Sequence, residues 1–171
     1  MERLASDFQS QVSKIFERPK LPRNLFLCEI DNFENLPLLV KPNSARYCLL
    51  LLTDARLIES ETLSRIASVL IESGLVYFCA WGPDCERVHD LFDEGSLEVD
   101  LALTGDDVIM TTSHAQESLD ETLWYFVHST FPTDGLETGC RDWIVACVGN
   151  KEWSSEIRRI AHDVVYPDPN E

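Results

Sequence analysis

The chain has 171 residues, 44% of them hydrophobic, and a net charge of −16. That length suits one domain with a real core, and no apolar run approaches the roughly 18 residues of a membrane-spanning helix. The acidity disfavours direct contact with nucleic acid, whose phosphates need cationic partners.

The charge is unevenly placed. Residues 1–46 carry seven Lys/Arg against six Asp/Glu, and the rest carries seven against twenty-four. From Val88 to Cys140 there is no Lys or Arg, yet there are twelve acidic residues. Asp90, Asp93, Glu94, Glu98, Asp100, Asp106 and Asp107 are therefore expected to form an acidic surface for a basic protein partner met by electrostatic steering. The plainer alternative is a solvated acidic face. The first residues, MERLASDFQSQ, lack the pattern of a signal peptide, so the expected setting is soluble and cytoplasmic. Cys48, Cys79 and Cys147 sit inside apolar runs and no CxxC occurs, so the six cysteines are read as reduced thiols.

In chain order, Leu4, Phe8, Val12, Ile15 and Phe16 predict a helix over 4–17, stopped by Pro19 and Pro22. Residues 25–30 predict a strand added at an edge, and 32–44 a loop punctuated by Pro37 and Pro42. Residues 1–45 thus form a lead-in packed on a single core domain, 46–171. The core repeats one unit four times: an apolar run, a polar tip, then an amphipathic helix. The runs are 47–52, 76–81, 108–112 and 143–148. This rhythm predicts an α/β, Rossmann-like or flavodoxin-like three-layer sandwich, with about four parallel strands and helices on both faces. The first helix covers 60–73 through Leu63, Ile66, Ala67, Leu70 and Ile71. The second packs through Cys85, Val88, Leu91 and Phe92 and is expected to end near Gly95. Alternation of Leu97, Val99, Leu101 and Leu103 with polar or small residues then predicts a half-exposed strand or extended loop. Ser118 and Glu121 predict a capping box, and the last helix packs through Trp153, Ile157, Ile160, Ala161 and Val164.

Parallel sheets bind ligands at the carboxyl ends of their strands. The candidate pocket therefore gathers Asp54, Trp81, Asp84, Cys85, His89, Thr112, His114 and Asn150. It would serve a small enzyme or ligand sensor. Turn and cap preferences alone also place Asp, Asn and Thr at such tips. Cys85 and His89, one helical turn apart, have the spacing of an activated thiolate, although Cys85 also fits the apolar face. Asp106 and Asp107 precede a strand, at the wrong end for this pocket. His128 and His162 are expected to be partly packed, and Trp81 is the indole best placed for recognition. There is no GxxxxGK[ST], GxGxxG or GxSxG, and no zinc-type spacing, so neither cofactor nor metal is expected. Nucleic-acid mimicry also suits the acidity, but ranks below protein binding.

The segments YCLLLLTDA, YFCAWGPDCERVHDLFDEG, DDVIMTTSH, SLDETLWYF and the VGN before Trp153 resemble an uncharacterised bacterial domain family over about residues 46–154. The resemblance implies domain integrity and one shared constellation of Trp81, Asp84, Cys85 and His89. It implies no activity and transfers no catalytic residue. The leading expectation is a non-enzymatic acidic binding protein of the adaptor or immunity type.

Overall fold

The computed structural model describes residues 12–17, 23–103 and 106–165. Its strands are β1 (Val12–Glu17), β2 (Asn24–Ile30), β3 (Arg46–Leu52), β4 (Leu75–Trp81), β5 (Met110–Ser113) and β6 (Cys140–Val148). Among the described residues they form one sheet in the order β1-β2-β6-β3-β4-β5. Strands β2 to β6 are parallel, and β1 pairs antiparallel with β2. The helices are α1 (Leu36–Leu39), α2 (Ser60–Glu72), α3 (Cys85–Ala102), α4 (Leu119–His128), α5 (Asp134–Glu137) and α6 (Lys151–Val165).

The parallel α/β class follows from the sequence because β3, β4 and the 143–148 part of β6 are nearly all apolar on both faces. Such strands need cover above and below. Helices α2 and α3 pack on one another, as do α4 and α6. Right-handed crossovers put the first pair on one face of the sheet and the second on the other. Strand β3 sits at the centre, with Tyr47 through Leu52 buried. Each buried Leu there contributes roughly 1.5–3 kcal/mol. The Tyr47 hydroxyl avoids a desolvation cost through the Leu70 carbonyl (3.1 Å) and the Ser73 hydroxyl (2.9 Å). All six cysteines are buried free thiols. The Ser118–Glu121 capping box forms as expected. No helix of the described residues is long and apolar enough to cross a membrane.

Five expectations need correction. Residues 12–17 of the expected N-terminal helix are strand; residues 4–11 lie outside the described residues. Val12, Ile15 and Phe16 favour a pleated surface, and the free edge of β2 supplies the partner. Strand β2 is consequently interior, held between β1 and β6, rather than an edge. Residues 32–44 are not all loop: a 3-10 turn (Phe33–Asn35) leads into α1, with Pro37 in its first turn. The third core run shifts to Met110–Ser113, a half-buried edge strand.

The largest difference is in α3, which continues through Gly95 to Ala102. Gly95 marks a close crossing: a Cβ there would lie 3.4 Å from Ile71 of α2. The apparent alternation of 97–103 is two i,i+4 pairs. Val99 and Leu103 turn towards the core, while Leu97 and Leu101 face solvent. Period two over seven residues cannot separate these readings; the buried Phe92 and Ser96 on the same stripe decide for helix.

Candidate functional site

The chain leaves β4 into α3 on one face and leaves β5 into α4 on the other. A crevice opens where neighbouring strands diverge in this way. There, at the carboxyl edge, lies a pocket of about 450 Å³. Trp81, Gly82, Pro83, Asp84, Cys85, Glu86, His114, Ala115, Glu117 and Trp153 line it.

Its floor is fixed by backbone geometry. Gly82 has φ +113°, and its Cα faces the Thr53 carbonyl too closely for a side chain. The Thr53 N–H donates to the Trp81 carbonyl (3.2 Å), and the Ala55 N–H to the Pro83 carbonyl (3.0 Å). Asp84 is left-handed at φ +67°, a conformation that Asp tolerates better than most residues. Its carboxylate accepts from Arg87 Nε at 2.7 Å. Arg87 also donates to the carbonyls of Ala55 (2.6 Å) and Ile58 (3.1 Å), tying the β4–α3 turn to the β3–α2 loop.

The walls are aromatic. Trp81 Nε1 donates to the Glu117 carbonyl (2.9 Å). The Trp81 ring meets Trp153 edge to face, with centroids 5.1 Å apart. Asn150 positions Trp153: its side-chain oxygen accepts from the N–H groups of Glu152 (3.0 Å) and Trp153 (3.1 Å). That is the cap of α6.

His114 closes the pocket between β5 and α4, only 5% exposed and 4.7 Å from the Tyr125 ring. Thr112 donates its hydroxyl proton to Cys79 Sγ (3.2 Å), so its oxygen can only accept from His114 Nε2, 3.1 Å away. The proton of the neutral ring is therefore on Nε2. Nδ1 is buried with no hydrogen-bond partner, and the Glu117 carboxylate stands 3.6 Å from it. Burial holds the imidazole below its usual range, with Glu117 opposing. The unfolded chain thus takes up this proton at a higher pH than the folded one. The His114 contribution to stability is whole above the unfolded value, about 6.5, and is lost as pH falls below it. A thermal melt series from pH 7.5 to 5, run beside His114→Gln, should show a smaller acid-induced drop in the variant. Parallel curves would contradict this.

The other anticipated residues divide. Trp81, Asp84, Cys85 and His114 share the pocket. Thr112 stands behind it as the support of His114. His89 does not line it: Nδ1 lies 3.0 Å from Asp90 and Nε2 3.2 Å from Thr111. The Cys85–His89 pair that the spacing suggested is therefore not formed. Burial pushes the Cys85 thiol up, against the backbone N–H of His114, so it is protonated at neutral pH and a poor nucleophile. Asp54 is exposed at the β3 tip, where Arg56 (2.9 Å) holds its carboxyl low. Asn150 borders a separate recess of about 170 Å³ with Glu29, Asp31 and Cys147.

Of the acidic residues, Asp90, Asp93 and Glu94 face solvent on α3. Asp93 also accepts from the Thr111 hydroxyl (2.8 Å). Asp100 is engaged by the Ile109 N–H (2.8 Å), and Asp107 by the Gly135 N–H (3.0 Å). Asp106 is exposed; the side chain of Glu98 lies outside the described residues. His128 is half-buried as expected, with Nε2 2.7 Å from the Val164 carbonyl, whereas His162 is exposed beside Asp163. No group of three or more His, Cys, Asp or Glu among the described residues is arranged to hold a metal. Glu86, Glu117 and Trp153 were missed as pocket residues. Their signal was only that each follows closely on a strand tip.

Fold and site together define a parallel-sheet α/β domain with an indole- and carboxylate-lined crevice at its carboxyl edge. A family model matches residues 25–164, and the chain belongs to that family, described as a domain of unknown function (DUF7684). No curated protein and no solved structure matches the chain.

Proposed function

We propose that this chain is a non-enzymatic binding protein that engages a basic protein partner at the acid-rich carboxyl edge of its sheet, as an adaptor or immunity-type protein would. The observation that carries this reading is the pocket lining: the carboxylates of Glu86 and Glu117, and Asp84 paired with Arg87, beside two indoles, with no Lys or Arg among the described lining residues. Next to it, Glu86, Asp90, Asp93 and Glu94 follow helical spacing on the solvent side of α3. A net charge of −16 favours fast encounter with a basic surface. A cytoplasmic setting goes with this reading, since it keeps the six buried thiols reduced.

The pocket volume, about 450 Å³, also suits a small molecule and supports a second reading, a ligand sensor. An enzyme is the weaker form of it, because burial keeps Cys85 protonated and His89 is turned away to Asp90 and Thr111.

The test is capture from native lysate with the tagged full chain, at low and high salt. The expected result is one basic protein, retained at low salt and released at high salt. An Asp90→Asn, Asp93→Asn, Glu94→Gln triple variant should hold it less tightly. No capture, or capture indifferent to both salt and the variant, would count against the reading.

A further inference from the structure

We infer that the pocket between the β4 and β5 tips receives a guanidinium or primary-ammonium head group, bound by the Glu117 carboxylate, the His114 Nδ1 lone pair and the indoles of Trp81 and Trp153. This rests on the proposed binding of a basic partner and names the chemistry of its anchor.

His114 is 5% exposed, its Nε2 proton is committed to Thr112, and its Nδ1 has no partner. A buried acceptor left unpaired costs about 1–3 kcal/mol. Facing it in the pocket wall is another acceptor, the Glu117 carboxylate at 3.6 Å. Two acceptors this close can share one donor nitrogen set beside the gap, and a guanidinium brings five N–H groups and a positive charge. The indoles add faces to which cations are drawn. Their edge-to-face contact leaves ring surface uncovered by the partner ring.

One feature opposes a cation: Gly82–Glu86 is the N-terminus of α3, the kind of place where anions bind. Its partial charge is about +0.5. Asp84 is offset by Arg87, which leaves the full charges of Glu86 and Glu117. The carboxylates outweigh the dipole, and the pocket favours a cation.

The test titrates the full chain with N-acetylarginine amide, its neutral ureido counterpart N-acetylcitrulline amide, and agmatine, read by indole fluorescence and calorimetry. The two cations should saturate in the millimolar range and the ureido compound should not. Glu117→Gln should weaken cation binding by about tenfold. Thermal melts check its fold, and Glu86→Gln serves as the second variant. Tighter binding of the arginine amide than of agmatine points to a partner's side chain; the reverse points to a free small cation. Equal binding of the ureido compound, or indifference to both variants, overturns the inference. Silence from all three probes also overturns it, while continued salt-sensitive capture of a basic protein would leave the wider reading standing. Cation binding without any captured protein would do the opposite.

Discussion

Phe92→Ala is expected to lower the free energy of unfolding by about 3–5 kcal/mol. Phe92 is fully buried in the middle of α3. Its ring stacks on Phe78 of β4, with centroids 3.7 Å apart and planes within 2°. Truncation removes the apolar transfer energy and leaves a cavity that a sheet–helix interface fills poorly. In urea unfolding the midpoint should fall while the slope stays unchanged, because the exposed surface hardly changes. A loss below about 1 kcal/mol would mean that other contacts seat α3, against the packing described. The effect reaches the site, since α3 presents Cys85 and Glu86 to the pocket.

Gly82→Ala should cost roughly 2–4 kcal/mol. At φ +113° any side chain is strained, and the new Cβ would fall 2.4 Å from the Thr53 carbonyl oxygen. That oxygen belongs to the backbone of a buried residue and cannot rotate away. The tip must shift, breaking the Thr53–Trp81 hydrogen bond and moving Trp81. Gly95→Ala is the matched control. Its Cβ would meet Ile71 Cδ1 at 3.4 Å and Ala67 Cβ at 3.7 Å, both side-chain atoms, and the position is helical. Ala gains up to about 1 kcal/mol over Gly in a helix. Thermal melts should therefore separate the two variants widely; similar losses would refute the account of Gly82.

Much of the layered fold was legible, for a physical reason. Strands buried on both faces must be nearly all apolar, and β3 and β4 show this directly in YCLLLL and LVYFCAW. Helix α2 was equally plain, because its buried positions follow the helical period. Failures came where tertiary pairing overrode local pattern. Residues 12–17 carry a weak signal that the edge of β2 resolves as strand. Residues 97–103 have an alternation that a helix also produces.

The site was half legible. The WGPDC turn pointed to the right edge, because Gly and Pro at a strand end mark a loop. The sequence could not show that Glu117, from the β5–α4 loop, and Trp153, from the first turn of α6, would close around Trp81. That depends on β5 standing beside β4 and on β6 returning across the sheet. Nor could it show that Asp100 and Asp107 are engaged within the chain, or that His89 turns towards Thr111.

The central claim is that a basic partner is held at the carboxyl edge between β4 and β5. Amide hydrogen exchange of the full chain, alone and with the captured partner, tests it most directly. The account predicts slowed exchange in residues 82–94 and 113–118, with the rest of the chain unchanged. Slowing confined to the opposite edge, in residues 41–46 and 134–142, or no slowing at all, would contradict it.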